Sequence, residues 1–235
     1  MANLYASTFD ILVGALSISL AGEPVALLPD RALWWPRERT LFVADVHLGK
    51  AASFRALGQP VPAGTTRDNL DRLSRLIDGL GVERLVVLGD FLHAATAQQA
   101  QVMDPAHAWR ERHAALNCLL VRGNHDSHAG DPPLSLRFDI VDEPFRIGPF
   151  AACHHPQSVA DTYALAGHLH PAVQLRGRAH DRERLPCFCE VEGLLVLPAF
   201  GAFTGSTLDL PPGTLRCYAV GGGRVTALPW LGGSR

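Results

Sequence analysis

The chain has 235 residues, of which 47% are apolar and 19% are charged, and its formal net charge is −2. An ordinary apolar fraction without runs of like charge excludes a disordered chain, and the near-neutral balance gives no support to a generally basic nucleic-acid binder. No apolar run reaches the roughly 18 residues of a membrane span. The most apolar stretch, Ile11 to Leu20, follows a segment without Lys or Arg, unlike a secretory signal. We therefore expect a cytoplasmic protein with a single domain over residues 1–235.

The first predicted element is a β-hairpin within residues 1–30. Apolar and polar residues alternate from Val13 to Leu20, a Gly-Glu-Pro turn signal follows at 22–24, and Val25 to Leu28 forms the second strand. The segment Trp34 to Pro36 is then predicted to be a connection.

Three short apolar runs and two helical patterns follow in alternation. The runs, each typical of a strand buried on both faces, are Leu41–Ala44, Leu85–Leu88 and Cys118–Val121. Leucines at helical spacing predict a helix over Leu70 to Leu80, with Gly81 as its stop. A second helix is predicted to open with Asp104 as its N-cap and Pro105 as its first residue. Alternating strands and helices indicate the parallel crossovers of an α/β fold.

The second half of the chain has a different pattern. From Phe145 onward the apolar runs are short, turn residues are dense and helical periodicity is weak, so we predict strands and loops that continue the same core. Residues 172–235 would be its β-rich C-terminal part. The five cysteines do not suit a disulfide framework in a chain of this size. The lone C-x-C pair, Cys187 and Cys189, predicts two buried thiols rather than a zinc site.

Polar motifs follow the apolar runs. These motifs are DVH at 45–47, GD at 89–90, GNHD at 123–126, CHHP at 153–156 and GHLH at 167–170. In open α/β sheets, ligands bind outside the carboxyl ends of the strands. We therefore expect these side chains to meet at one edge of the fold.

Carboxylates, an amide and imidazoles at strand ends form a ligand set for transition metals. In the D-x-H motif, Asp45 and His47 are expected to leave an extended strand on the same face, so that both reach one ion. His168 and His170 repeat that spacing. Two ions that share Asp90 would use all of these groups, and such a metal pair clamps the attacking and leaving oxygens of a phosphoryl displacement.

In this order, the five motifs resemble those of the calcineurin-like metallophosphoesterase superfamily, from Asp45 to His170. The resemblance implies an α/β fold in which two mixed β-sheets pack as a sandwich flanked by helices. It implies two divalent metal ions, manganese foremost, with iron, zinc or magnesium as alternatives. The first ion would be held by Asp45, His47, Asp90 and His170. The second would be held by Asp90, Asn124, His154 and His168, with Asp90 as the bridge.

The same resemblance implies roles for residues around the ions. His125 would stabilise the phosphate or protonate the leaving oxygen, and Asp126 would orient an imidazole. We choose His154 over His155 as the ligand because it directly follows the strand, so His155 would line the pocket. Further predicted substrate contacts are Lys50, Arg55 and His93. For the first two of these, a solvated loop or a salt bridge is the alternative.

Other motifs resemble one bacterial branch, the ligase-associated DNA damage response endonucleases. These motifs are DVHLGK at 45–50, FR at 54–55, PVPAG at 60–64, GDFLH at 89–93, GHLHP at 167–171 and LPAFGAF at 197–203. The resemblance implies a DNA substrate, a role in DNA repair, and association with an ATP-dependent DNA ligase and a helicase. No association with a membrane is expected. The implied reaction is hydrolysis of a phosphodiester by metal-activated water, at a site whose excess positive charge favours an anionic phosphate.

Two alternatives stay open at this point. One is a small-molecule phosphodiesterase or pyrophosphatase that acts on a nucleotide-type substrate. The other is a non-catalytic interaction scaffold, although a scaffold needs neither the intact ligand set nor His125. An arginine cluster also has two interpretations, a charged hairpin tip, which its interleaved acidic residues favour, or a contact with the DNA backbone. Its members are Arg176, Arg178, Arg182 and Arg184.

Overall fold

The computed structural model describes residues 8–61, 64–177 and 182–229, and two mixed β-sheets lie face to face at its centre. The helices are α1 (Thr8–Leu12), α2 (Lys50–Ala56), α3 (Thr65–Leu80), α4 (Ala100–Arg112) and α5 (Asn124–Ala129), with 3₁₀ turns at Pro36–Glu38, Ala95–Gln98 and Leu134–Leu136. Within these ranges no helix combines the length and the hydropathy that crossing a bilayer requires.

The first sheet takes its strands in chain order. They are β1 (Leu16–Leu20), β2 (Glu23–Leu28), β3 (Ala32–Trp35), β4 (Thr40–Val43), β5 (Arg84–Leu88), β6 (Asn117–Val121) and β7 (Phe138–Val141). Neighbours are antiparallel from β1 to β4 and parallel from β4 to β7. Because parallel strands need crossover connections, α3 and α4 link β4 to β5 and β5 to β6, and the carboxyl ends of these strands share one edge.

The second sheet is built from the second half of the chain. Its strands are β8 (Phe145–Ile147), β9 (Phe150–Ala152), β10 (Tyr163–Ala166), β11 (Ala172–Arg176), β12 (Arg182–Val191), β13 (Leu194–Val196), β14 (Arg216–Gly221) and β15 (Arg224–Ala227). The order is β15-β14-β12-β13-β10-β9-β8, with β11 on β12. β10 is parallel to β9 and β13, and the other pairs are antiparallel. The predicted fold class is confirmed.

The core lies in layers on the faces of the two sheets. Between the sheets, Phe42 from the first and Phe150 and Phe188 from the second are fully buried. The other face of the first sheet packs against α3 through Leu70 and Leu73. Burial of each such side chain stabilises the fold by about 1.5–3 kcal/mol. The sandwich therefore fixes the relative position of the loops that leave both sheets.

The predicted hairpin and the first helix are confirmed. β1 and β2 pair with Leu16 opposite Leu27, although the turn is shorter than predicted, since Glu23 already belongs to β2. Helix α3 runs to Leu80 and ends on Gly81, whose φ of 64° is the left-handed conformation that a helix C-terminus favours.

The prediction of a connection at Trp34 to Pro36 is wrong for the two tryptophans. Both belong to β3, where Trp34 lies opposite Leu41 and Trp35 opposite Thr40. The buried indole N–H of Trp35 donates a hydrogen bond of 2.8 Å to Glu23 Oε2. That bond satisfies the polar group of the side chain, so the ring can pack between the sheets.

The predicted start of the second helix is also wrong. Helix α4 begins at Ala100, so Asp104 and Pro105 lie inside it. The N–H groups of Val102 and Met103 both donate to the carbonyl of Gln99, which closes the first turn before the proline. Pro105 lacks one N–H near the start of the helix, and the turn before it is already formed by other bonds.

The two thiols of the C-x-C pair are buried, as predicted. Cys187 and Cys189 lie on β12 with their Sγ atoms 3.6 Å apart, and Cys217 on β14 places its Sγ 3.8 Å from that of Cys189. All of the cysteines are free. Cys187, Cys189 and Cys217 pack with apolar residues on the outer face of the second sheet.

Candidate metal centre

The motif side chains converge at the edge where the carboxyl ends of the strands meet. The loops after β4 and β5 supply Asp45, His47 and Asp90, and the start of α5, after β6, supplies Asn124. The loops after β9 and β10 supply His154, His168 and His170. Backbone bonds hold the first two loops side by side beyond their strands, since His47 N–H donates to the Asp90 carbonyl at 2.9 Å. The sandwich therefore brings both sheets' loops to one place.

The backbone of this edge is not extended. The residues with a left-handed backbone include Asp45 (φ 54°), His47 (φ 50°), Asp90 (φ 53°), His168 (φ 69°) and His170 (φ 50°). The prediction that a D-x-H motif projects both side chains from one face of a strand is therefore wrong, because β4 ends before the motif. Strained conformations of this kind persist where the surroundings impose them, and they cluster at functional sites.

A first group of donor atoms consists of Asp45, His47 and His170, whose ligand atoms lie within 4.8 Å of one another. His170 Nε2 is 3.3 Å from Asp45 Oδ1 and 3.4 Å from His47 Nε2. His170 Nδ1 donates a hydrogen bond of 3.0 Å to the Gly205 carbonyl. In the neutral ring, Nε2 is therefore left with its lone pair directed at the group.

A second group forms around His154, which is fully buried. Its Nε2 lies 2.9 Å from Asn124 Oδ1 and 3.1 Å from His168 Nδ1. Its Nδ1 donates to the Leu88 carbonyl at 3.0 Å, which again leaves Nε2 as the free lone pair. A Cβ at Gly89 would stand 2.0 Å from His154 Nδ1, so this ring position requires glycine there.

Asp90 lies between the two groups. Its Oδ2 is 3.8 Å from His47 Nε2, and its Oδ1 is 3.6 Å from His154 Nε2. The backbone N–H of His125 donates to Oδ1 at 2.9 Å and fixes the carboxylate. Burial raises the pKa of Asp90, and the nearby charge of Asp45 raises it further. One carboxylate thus faces both groups, as a bridging ligand must.

The donor set fits divalent metal ions. Within the part of the chain that the structure describes, the buried Asp45 Oδ1 has no hydrogen-bond partner, which is unfavourable unless something else neutralises it. Two nitrogens bound to one ion at about 2.0–2.1 Å stand roughly 3 Å apart, and the imidazole pairs described above stand 3.1 and 3.4 Å apart. Burial lowers the pKa of His47, which keeps it in the neutral form that binds metal.

His125 lies beside the first group. The centroid of its ring is 5.0 Å from that of His47. The ring also stacks on His93, with the two centroids 4.9 Å apart. Its Nδ1 donates to the His93 carbonyl at 2.9 Å, so Nε2 is the nitrogen that remains for a substrate. Burial lowers the pKa of His93 to about 4, with the charge of Lys50 adding to the effect. The predicted catalytic histidine is therefore oriented by the loop after β5.

The predicted substrate contacts divide into near and distant residues. Lys50 lies close to the carboxylates; burial lowers its pKa, and the charges of Asp45 and Asp90 oppose that shift. Arg55, by contrast, is exposed on α2 and lines a cavity of about 230 Å³ whose described lining contains none of the candidate ligands.

His155 is half-exposed beside the second group, and its ring centroid lies 4.4 Å from that of His168. The buried ring next to it, His154, is the one whose Nε2 points at Asn124. This arrangement favours His154 as the ligand and leaves His155 at the rim.

Asp126 does not act as predicted. Its Oδ1 accepts the N–H of Leu92 and its Oδ2 accepts the N–H of Gly123, each at 3.0 Å. Burial raises the pKa of Asp126 to about 6, and these backbone bonds oppose the shift. The expected bond to an imidazole is replaced by a clamp that joins the loops after β5 and β6, so this residue positions the backbone of the site.

Glu143 lies outside every motif identified in the sequence. Its Oε2 accepts the backbone N–H groups of His154 at 2.6 Å and His155 at 2.8 Å, and its Oε1 lies 2.6 Å from His155 Nδ1. An acidic residue before a proline in a loop belongs to no catalytic motif, so only the folded chain identifies it as the anchor of the histidine pair.

The arginine cluster lies on the hairpin of β11 and β12. Arg176 pairs with Arg182 across the hairpin, and Arg184 Nη1 donates to the Ser206 carbonyl at 3.3 Å. Arg178 and Asp181 lie outside the described residues. Contact of this hairpin with DNA stays a prediction.

Comparisons with known proteins agree with this arrangement. Residues 38–190 match the family model of the calcineurin-like phosphoesterases. The chain is similar to the crystal structure of Pseudomonas putida nuclease MPE, with a TM-score of 0.80 and 46% identity over 91% of this chain and 100% of that chain. It also matches the protein of unknown function AQ665 from Aquifex aeolicus, with a TM-score of 0.38 and 16% identity over 60% of this chain and 80% of that chain, a likeness too weak to support a conclusion. No curated protein matches the chain.

Proposed function

The chain belongs to the calcineurin-like phosphoesterase family and is a metal-dependent phosphoesterase, and we propose that its substrate is the DNA backbone and that manganese fills both metal positions. One observation carries the choice of a nucleic acid over a small molecule. The relative named a nuclease is similar over its full length, with 46% identity, so the likeness extends well beyond the residues of the metal motifs.

The proposed ligand sets follow the two groups of donor atoms. Asp45, His47, Asp90 and His170 would hold the first ion, and Asp90, Asn124, His154 and His168 the second. Support comes from the position of Asp90 between His47 and His154 and from the fixed tautomers of His154 and His170. When bound, such an ion pair supplies Lewis-acid polarisation of the phosphate and activation of a water molecule.

The chain's own residues supply binding and proton transfer. Among the proposed ligands only Asp45 and Asp90 are anions, so a site that holds two divalent ions keeps a net positive charge and attracts a phosphodiester. Lys50 adds a further positive charge beside them. In its imidazolium form, His125 keeps Nδ1–H on the His93 carbonyl and presents Nε2–H to the leaving oxygen. His155 would line the opposite rim. A role in DNA repair beside an ATP-dependent ligase and a helicase rests on the motif resemblance alone.

A comparison of two substrates tests this proposal. The purified protein, supplied with Mn²⁺, is incubated with closed circular plasmid DNA and separately with bis(4-nitrophenyl) phosphate, and an Asp90→Asn variant serves as the inactive control. We expect nicking of the plasmid by the wild type and none by the variant. Hydrolysis of the small diester without nicking at high enzyme concentration would instead favour a nucleotide-type substrate. Turnover of neither substrate would favour the scaffold alternative.

A further inference from the structure

A row of aromatic rings leads from the proposed catalytic histidine to the surface. His125 stacks on His93 with centroids 4.9 Å apart and planes at 24°, and His93 faces Phe54 at 6.4 Å and 29°. Phe54 meets Phe203 edge-on at 5.6 Å. The row ends in solvent, because Phe203 is 36% exposed.

The two phenylalanines are placed by the same loops as the metal ligands. Phe54 belongs to α2, which begins directly after the first metal motif. The segment before Phe203 is bonded to that motif, since Gly201 N–H donates to the Asp45 carbonyl at 3.1 Å. Phe200 in this segment is fully buried and Phe203 is not. Core packing therefore accounts for Phe200, whereas Phe203 leaves part of its ring in solvent.

We infer that Phe54 and Phe203 form a stacking surface for a nucleobase next to the scissile phosphate, an inference that rests on the proposed nuclease function. Aromatic faces bind bases of any sequence by stacking, and one such contact changes affinity by about fivefold or more. Lys50, the first residue of the same helix, places positive charge near Asp45 and Asp90, where a phosphate next to such a base would lie. Apolar rings beside a site for a phosphodiester match the chemistry of a nucleotide unit.

The test compares two oligonucleotides of equal length and charge, one natural and one with abasic tetrahydrofuran residues throughout. The measured quantity is the ratio of their kcat/KM values with Mn²⁺. We expect the wild type to prefer the natural strand and Phe203→Ala to lower that preference at least fivefold, with Phe54→Ala as the second variant. Phe203→Tyr retains a ring and should restore the preference, whereas Phe203→Leu should not. Leu134→Ala, at a remote position that is 95% exposed, is the matched control and should leave the ratio unchanged.

Several outcomes would overturn the inference while the nuclease proposal stands. Equal kcat/KM of the wild type on both strands would exclude base stacking, and so would an unchanged kcat/KM ratio in both alanine variants. An equal loss of kcat/KM on both strands would indicate a packing role. Restoration of the ratio by Phe203→Leu as completely as by Phe203→Tyr would show that an aromatic ring is not needed. A wild type that hydrolyses bis(4-nitrophenyl) phosphate but cleaves neither oligonucleotide would overturn the nuclease proposal and this inference together.

Discussion

The carboxylate of Glu143 holds the imidazole of His155, with Oε1 only 2.6 Å from Nδ1. Its other oxygen accepts the backbone N–H groups of His155 and of the proposed ligand His154. A single side chain therefore sets the path of the loop that enters the second group of donor atoms.

Replacement of Glu143 by glutamine is expected to weaken the proposed second metal position. An amide has no charge and one acceptor oxygen, so it can keep both backbone bonds only if the bond to His155 Nδ1 is lost or reversed in direction, and weakening of such supporting contacts lowers metal affinity by about 10–100-fold. Manganese content after dialysis against buffered free Mn²⁺ measures the effect. Glu111→Gln removes an exposed ion pair with Arg137 and is the control. Equal manganese affinity in both variants would contradict the anchoring role.

The variant Asp90→Asn should disturb both metal positions, because the carboxylate of Asp90 faces His47 on one side and His154 on the other. We expect manganese content to fall from about two ions per chain to less than one, since the bridge loses its charge and one donor oxygen. Elemental analysis of the purified variant gives this number. Asp142→Asn, which removes a carboxylate that is 85% exposed, should retain the wild-type content. Full metal content in Asp90→Asn would argue against a bridging role.

Loss of the His125 imidazole should affect turnover and leave metal binding intact. A positioned acid contributes about 10²–10⁴-fold to a rate, so His125→Ala is expected to lower kcat on plasmid DNA by that range with unchanged manganese content. His107→Ala, at an exposed ring bonded to Ser135, controls for the removal of a histidine. Activity close to that of the wild type would show that His125 is not the proton donor.

A pair of glycine substitutions separates backbone strain from lack of space. Gly89 and Gly22 have almost the same left-handed φ, 79° and 80°, but a Cβ meets the His154 ring at the first position and nothing within 4 Å at the second. Gly22→Ala should lower the free energy of unfolding by about 1–2 kcal/mol from backbone strain alone. Gly89→Ala should lower it further and displace His154, with loss of manganese. Urea denaturation measures the free energy of unfolding of each variant, and metal analysis measures its manganese content. Equal values for the two variants would mean that the His154 ring can move aside.

The parts of the fold that sequence predicted well are those that burial alone dictates. The runs at Leu41–Ala44, Leu85–Leu88 and Cys118–Val121 are apolar throughout because helices and a second sheet cover both faces of those strands. Since such strands run parallel, their carboxyl ends share one edge, and the residue pattern alone is enough to group the motifs at their ends.

The errors arose where distant contacts decide the local structure. Trp35 can sit in a buried strand because Glu23 satisfies its indole N–H, and no local pattern reveals that bond. The turned backbone of His47 is fixed by a bond to the Asp90 carbonyl, a partner far along the chain. Similarly, the bonds of Asp126 to Leu92 and Gly123 come from loop packing, so its residue type alone suggested a different role.

The division of the proposed ligands between the two sheets has a consequence for biosynthesis. The part of the chain that builds the first sheet supplies Asp45, His47, Asp90 and Asn124, whereas each proposed ligand set also needs an imidazole from residues 154–170. A nascent polypeptide that has emerged only as far as β7 thus offers an ion an incomplete shell. With the proposed ligands, a metal ion would therefore bind only after the second sheet has been translated and has docked, and each bound ion would link parts of the polypeptide that were made at different times.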